Sequence, residues 1–251
     1  MTKEELLKTA KPILFNTEMV QAILNGLKTT TRRYVKAKSK NACGFYVTFR
    51  ESDGSFTGVY DYDENGKMFE SPQTQPAYKG DILYVRESWS WCPCWDCGME
   101  TDDGKCADPN GHRRYNSEKK EYGCYYFKAS AHAGEQPPGF EHWKPSIHMP
   151  KEEARIFLRV TNVRVEKVQD VVTGDYRTPG NINAEGLYKP CEKCMHHNGD
   201  CKDFIGDNTC RLVNSFAALW NGTVSKSDLE VYGWAANPWV WVIEFERIKV
   251  D

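Results

Sequence analysis

Long apolar runs are missing from this chain. The longest uninterrupted stretches, such as Trp-Val-Trp-Val-Ile at 239–243, fall far short of the roughly 20 residues a membrane helix needs. The N-terminus carries Glu4 and Glu5 and lacks the apolar core of a secretory signal, so a cytoplasmic home is expected. An excess of one charge is also missing. Lys and Arg number 33 against 35 Asp and Glu, a net charge of −2, which excludes a polycation that grips duplex DNA by bulk charge. A local basic groove stays open. There is no glycine-rich phosphate loop, no succession of βαβ units and no internal repeat, which argues against the usual nucleotide-binding folds.

What is present is an ordinary globular balance: 40% hydrophobic and 27% charged residues in 251. That length allows one decorated domain or two small ones, with a sizeable core. Cysteine is abundant, at ten residues. Five fall between Cys92 and Cys124, four between Cys191 and Cys210, and Cys43 stands alone as a buried or free thiol. In a cytosolic chain such clusters point to metal rather than to disulfides. Cys94-x2-Cys97 is the spacing of a zinc knuckle, and Cys106 and Cys124 complete a tetrahedral set, with Cys92 and His112 as substitutes. Cys191-x2-Cys194 with Cys201 and Cys210 forms a second set, in which His196 or His197 can replace a thiolate. Each set has four sulfurs, so one or two structural zinc ions are expected, holding insertions too poor in apolar residues to fold alone. A joint site, or an iron–sulfur cluster, would use the same thiolates.

Periodicity marks a strand at 12–15, a short helix from Met19 to a stop at Gly26, and a polar basic turn at 28–33. Hairpin strands are expected near 44–49 and 58–60, and clearer strands at 82–87 and 156–165, the latter slipping phase at Thr161-Asn162. Residues 90–142 and 188–210 read as two cysteine-rich insertions, with order resuming near Tyr125. A short helix is expected around Ala184-Glu185-Gly186 and an amphipathic helix over Leu212, Val213, Phe216, Leu219 and Trp220. The chain closes on a strand at 239–246 with one buried face. The class is α+β: a small mixed barrel or curled sheet with short helices.

The segment Gly26-x-Lys28-x-x-Thr31-x-Arg33 matches the signature of ASCH domains. The strand Gly80-Asp81-Ile82-Leu83-Tyr84-Val85-Arg86-Glu87, the Ala-Glu-Gly segment, Trp143-Lys144-Pro145-Ser146-Ile147-His148-Met149-Pro150 and the aromatic strand after Asn237-Pro238 extend the likeness. The chain thus resembles the ASCH family, in particular its phage and prophage members, over about half its length. The two cysteine insertions depart from the smaller members. The resemblance implies a single PUA-like mixed β-barrel spanning 1–251 and a cleft that recognises RNA or a modified nucleobase or nucleoside. Bacterial members of this kind that hydrolyse 4-acetylcytidine are thought to use a lysine, a threonine and a glutamate, which fall here on Lys28, Thr31 and Glu185. Glu87 is the alternate carboxylate.

The residue types fit either chemistry. A threonine hydroxyl is a weak nucleophile until a base takes its proton, and a lysine whose pKa is lowered by burial or by Arg32 and Arg33 can do so. Lys28 and Thr31, three apart in a turn, would face one way. Lys28, Arg32 and Arg33 serve equally as a phosphate clamp, with Thr31 a cap or phosphate donor and Glu185 a surface charge. An amidohydrolase on acylated nucleosides, a ribonuclease using the same basic groups, and a protein-interaction module built on the zinc knuckles are the alternatives to simple binding. Tyr84 and Trp89 leave the 82–87 strand toward its end and are candidates to stack a base, with Trp91, Trp95 and Trp143 nearby, although each aromatic serves a core as readily. His148 reads as a hydrogen-bonded structural histidine more than as a catalytic one.

Overall fold

The computed structural model describes residues 1–94, 114–131, 140, 142–171, 182, 184–187 and 211–250. The chain divides into two compact units: Met1–Gly26, Asp81–Arg159 and Arg247–Asp251 form one, Leu27–Gly80 and Val160–Glu246 the other.

The first unit opens with helix α1 (Lys3–Thr9), which hydrophobic spacing does not announce. A capping box nucleates it: Thr2 Oγ1 accepts from the Glu5 amide at 3.3 Å and Glu5 Oε2 accepts from the Thr2 amide at 2.9 Å. Strand β1 (Lys11–Leu14) and helix α2 (Thr17–Leu24) follow where expected, the helix capped by Asn16 Oδ1 on the Met19 amide. Gly26 beyond it takes φ +71°, the left-handed turn that glycine accepts without strain. β1 runs parallel to β5 (Ile82–Arg86), and β5 pairs antiparallel with the first residues of β9 (Phe157–Lys167). The cysteine-rich stretch 90–142 begins in a strand and contains two more among the described residues. β6 (Trp89–Pro93), β8 (Glu121–Phe127) and β7 (Arg114–Asn116) form a three-stranded antiparallel sheet in the order β6-β8-β7. Trp89 and Trp91 pack with Leu6, Tyr84, Met149 and Phe157 in one apolar core.

In the second unit the basic segment that reads as a turn is strand β2 (Thr30–Tyr34), paired antiparallel with β10 (Trp239–Ile248) from Tyr34↔Val240 to Thr30↔Glu244. Pairing overrides the polar composition: the strand is held by its ladder and by covered faces rather than by apolar side chains of its own. The terminal strand was expected to bury one face and buries both. Val240 and Val242 join Val168, Ile182, Val213, Phe216 and Trp220, whereas Trp241 packs with Val35 and Val59 on the other side. β3 (Gly44–Phe49) and β4 (Phe56–Tyr62) form the expected hairpin. Helix α3 (Arg211–Thr223) supplies Phe216 and Trp220, and a single turn, α4 (Leu229–Tyr232), follows. β9 continues without interruption through the expected phase slip, with Thr161 and Asn162 both exposed.

In order of hydrogen bonding the larger sheet runs β1-β5-β9-β10-β2. The architecture is α+β, but no closed barrel forms among the described residues: β1 and β2 stand at the two ends of that order, and no ladder joins them. Glu185 does not lie in a helix. It is a single bridging residue between turn residues Ala184 and Gly186, paired antiparallel with Lys28. Among the described residues no helix is long and apolar enough to cross a membrane.

Candidate functional site

The site grows out of the lead-in to β2. The amides of Thr29 and Thr30 both donate to the Ala184 carbonyl, at 2.8 and 2.9 Å, so two residues of one segment answer one of the other, as at a bulge. This seats Lys28 beside Glu185. Lys28 Nζ donates to the Thr30 carbonyl at 2.7 Å, to the Glu185 carbonyl at 3.0 Å and to Glu185 Oε2 at 2.6 Å. Its side chain is 0% exposed and that of Glu185 3%. Three acceptors match the three hydrogens of an ammonium.

The second carboxylate oxygen, Oε1, accepts from Arg32 Nη1 at 2.7 Å. Arg32 in turn directs Nε and Nη2 to Glu166 Oε1 at 3.1 and 2.5 Å, and its guanidinium lies 6.0 Å from the Phe216 ring. Glu166 Oε2 accepts from Arg164 Nε at 3.1 Å, and Arg164 Nη1 donates to Glu244 Oε1. Charges therefore alternate from the buried Lys28 through Glu185, Arg32, Glu166 and Arg164 to the partly exposed Glu244. Buried charge persists only when paired and hydrogen-bonded, and every link here is both.

Thr31 and Arg33 form a separate pair. The register sets Thr31 opposite Ile243 and Arg33 opposite Trp241, with Arg32 between them opposite Val242. Strand alternation sends Arg32 to one face and the other two to the opposite face. Arg33 Nη1 donates to Thr31 Oγ1 at 2.8 Å and to the Arg32 carbonyl at 2.9 Å. The hydroxyl partner of Thr31 is thus an arginine, and the carboxyl partner of Lys28 is Glu185. Burial pushes the Lys28 ammonium below the usual lysine range; Glu185 opposes this, and the charges of Arg33 and Arg32 add to it. Burial likewise lowers Arg33, against the pull of Glu185.

Lys28, Thr31, Arg32, Arg33 and Glu185 all fall in the second unit; Gly26, Tyr84, Glu87 and Trp89 fall in the first. Glu87 is buried and held bidentately by Arg155, Nε to Oε1 and Nη2 to Oε2, both 2.8 Å. Tyr84 and Trp89 are core residues, and the Lys144 ammonium lies 4.8 Å over the Trp89 ring. Trp91 is core as well, its Nε1 donating to Glu121 Oε1 at 2.8 Å. Trp143 stacks on Tyr126, and His148 is exposed at the end of a 3-10 turn (Ser146–His148). Sequence reasoning missed Glu166 and Arg155. Neither has a local signal, since each is a charged residue on or beside a strand whose partner lies far away in sequence.

Of the proposed metal ligands, Cys94 is buried and Cys124 partly buried, and Cys92 sits directly across the β6–β8 ladder from Cys124. Cys97, Cys106, Cys191, Cys194, Cys201, Cys210, His112, His196, His197 and Trp95 lie outside the described residues. Among the described residues no three His, Cys, Asp or Glu side chains gather as a metal site. Cys43 is an exposed free thiol. Comparison of the chain with family models, with curated proteins and with solved structures finds no match.

Proposed function

We propose that this chain is an ASCH-type, PUA-like protein that recognises a modified nucleobase or nucleoside, free or within RNA, around Lys28, Thr31, Arg32, Arg33 and Glu185. The observation that carries the reading is the buried Lys28–Glu185–Arg32 linkage with the Thr31–Arg33 pair on the same short strand. Fixed carboxylates accept from exocyclic amines such as N4 of cytosine, and guanidinium and hydroxyl groups donate to ring carbonyls. Side chains this buried suit a small planar group better than a phosphate backbone, which needs exposed cations.

The amidohydrolase reading has one observation in its favour: a lysine with a lowered pKa at 2.6 Å from a carboxylate. In that scheme Thr31 Oγ adds to the acyl carbonyl of an acylated cytosine amine. Its proton passes to the neutral amine form of Lys28, which the lowered pKa favours, and from there to the departing amine as the C–N bond breaks; water then releases the acyl group from Thr31.

The test is incubation with a panel of modified nucleosides, 4-acetylcytidine included, and short RNAs carrying them, read for both retained complex and product. Binding without turnover, weakened by Glu185→Gln, supports recognition. Product formation abolished by Lys28→Arg, whose guanidinium cannot release a proton at working pH, establishes the hydrolase instead. Neither complex nor product with any member of the panel overturns both. The two cysteine sets, Cys94, Cys97, Cys106, Cys124 and Cys191, Cys194, Cys201, Cys210, are proposed as structural zinc ligands on their spacing.

A further inference from the structure

We infer that Glu166 is a positioning residue for the Lys28–Glu185 pair, acting through Arg32; what the pair is positioned for rests on the recognition reading given above. Arg32 and Glu166 come from strands that are not neighbours, since β10 lies between β2 and β9. Val163 and Val165 pack toward Trp241, so alternation along β9 turns Arg164 and Glu166 to the opposite face. Arg32 stands on that same face, across from Val242, which packs with Phe216 and Trp220. At a strand spacing of about 4.8 Å the two residues meet over β10, a span of about 9–10 Å that only long side chains close.

An arginine beside a carboxylate ordinarily takes both oxygens, because its planar fork matches them. Arg32 does not. It meets Glu185 with Nη1 alone, on Oε1 at 2.7 Å, while Nε and Nη2 both turn to Glu166 Oε1, at 3.1 and 2.5 Å. Glu185 Oε2 is thereby left for Lys28 Nζ at 2.6 Å. Glu166 is itself held from its other side, where Oε2 accepts from Arg164 Nε at 3.1 Å. The carboxylate that aims Arg32 is thus braced by a second arginine, and it is the carboxylate of this pair that lies nearer to solvent, 15% exposed against 3% for Glu185.

Glu166 therefore decides which cation holds which oxygen of Glu185. Without it two nitrogens of a buried guanidinium lose their acceptor, and an unmet buried donor is costly. The carboxylate still in contact with Arg32 is Glu185, and rotation onto both of its oxygens restores the fork. Lys28 then loses its hold on Oε2 and keeps only the carbonyls of Thr30 and Glu185. The charged groups that act on Lys28 are Glu185, which favours its ammonium, and Arg33 and Arg32, which disfavour it, so weakening the Glu185 contact has a defined sign.

The test follows Lys28 by NMR in the full-length protein labelled at the lysine Cε, its signal assigned by its absence in Lys28→Arg. Glu166→Ala is expected to lower the Lys28 titration midpoint by about one pH unit or more, as part of the Glu185 attraction is lost. In an Arg32→Met background the same substitution should leave the midpoint where Arg32→Met alone puts it, since no guanidinium is left to misplace. A charge acting through space, or a general loosening of the fold, would move Lys28 in both backgrounds. Glu166→Asp keeps the charge, withdraws its oxygens by one methylene and should shift Lys28 in the same direction; it carries the test if Glu166→Ala does not fold. The inference is overturned if every folded Glu166 variant titrates as the parent does, or if Glu166→Ala shifts Lys28 equally with and without Arg32. The modified-nucleoside panel is run on the same proteins. A parent that retains no member of it, with Lys28 shifting as expected, overturns the recognition reading and leaves the positioning role standing. A parent that binds, with Lys28 unmoved in the Glu166 variants, does the reverse.

Discussion

Lys28 and Glu185, 157 residues apart in sequence, are joined three times: by an antiparallel backbone bridge, by Nζ on the Glu185 carbonyl and by Nζ on its carboxylate. The carboxylate is shared, one oxygen on Lys28 and the other on Arg32. Removing its charge therefore takes a counter-ion from two buried cations at once, although Arg32 keeps Glu166.

Glu185→Gln keeps the shape and loses that charge. Breaking a buried pair by neutralising one partner costs about 3–5 kcal/mol. Urea unfolding should show a loss in this range. A loss below about 1 kcal/mol would mean that solvent or other groups compensate the cations.

The lowered pKa of Lys28 has a defined pH signature. Folded Lys28 releases its proton below 10.5, the value of the ordinary side chain, whereas the unfolded chain holds it up to that pH. Between the two the unfolded state binds more protons, so stability attributable to this group rises as pH rises through the window. Below the folded pKa the burial penalty is fully present. Denaturant unfolding from neutral pH toward 10.5 should show the parent gaining on Lys28→Arg, whose group does not titrate there. Equal slopes would sink the assignment.

Arg32 and Glu166 should couple strongly. A double-mutant cycle with Arg32→Met and Glu166→Gln is expected to give an interaction energy of about 1–3 kcal/mol, since two guanidinium nitrogens meet one oxygen and Arg32 is buried. The Arg164–Glu244 pair, about a third exposed on both sides, should give about 0.2–1 kcal/mol.

Gly123→Ala tests the inner face of the three-stranded sheet. A Cβ there would stand 2.5 Å from the Cys92 carbonyl oxygen and press on the Trp91 ring. Overpacking against backbone should cost at least about 1–3 kcal/mol and blue- or red-shift the tryptophan fluorescence. An unchanged unfolding midpoint and spectrum would contradict the packing.

Elemental analysis checks the zinc proposal. Protein purified under reducing, chelator-free conditions should carry one or two equivalents of zinc, and Cys194→Ser should lose one. Metal-free protein would return the cysteines to core or redox roles.

Local chemistry wrote several elements into the sequence by itself. The Asn16 cap and apolar face of α2, the apolar runs of β5 and β10, the spacing of Val213, Phe216 and Trp220 in α3, and the glycine turns of the β3–β4 hairpin are all short-range patterns. Helix α1 was missed, because its start is set by the Thr2–Glu5 capping box rather than by apolar spacing. The residue types of the candidate site, Lys28, Thr31, Arg32, Arg33 and Glu185, stood out as the short-range patterns did. Their partners did not. That Glu185 bridges Lys28 and that Arg32 reaches Glu166 depends on strand register, and that Thr31 bonds Arg33, two residues on along one face, rather than Lys28 follows from 30–34 being a strand and not a turn. A shift of one residue exchanges every face. The segment 28–33 is polar and reads as a turn. It becomes a strand because β10, buried on both faces, offers it a ladder, and it is that burial which turns ordinary surface charges into a paired, perturbed cluster.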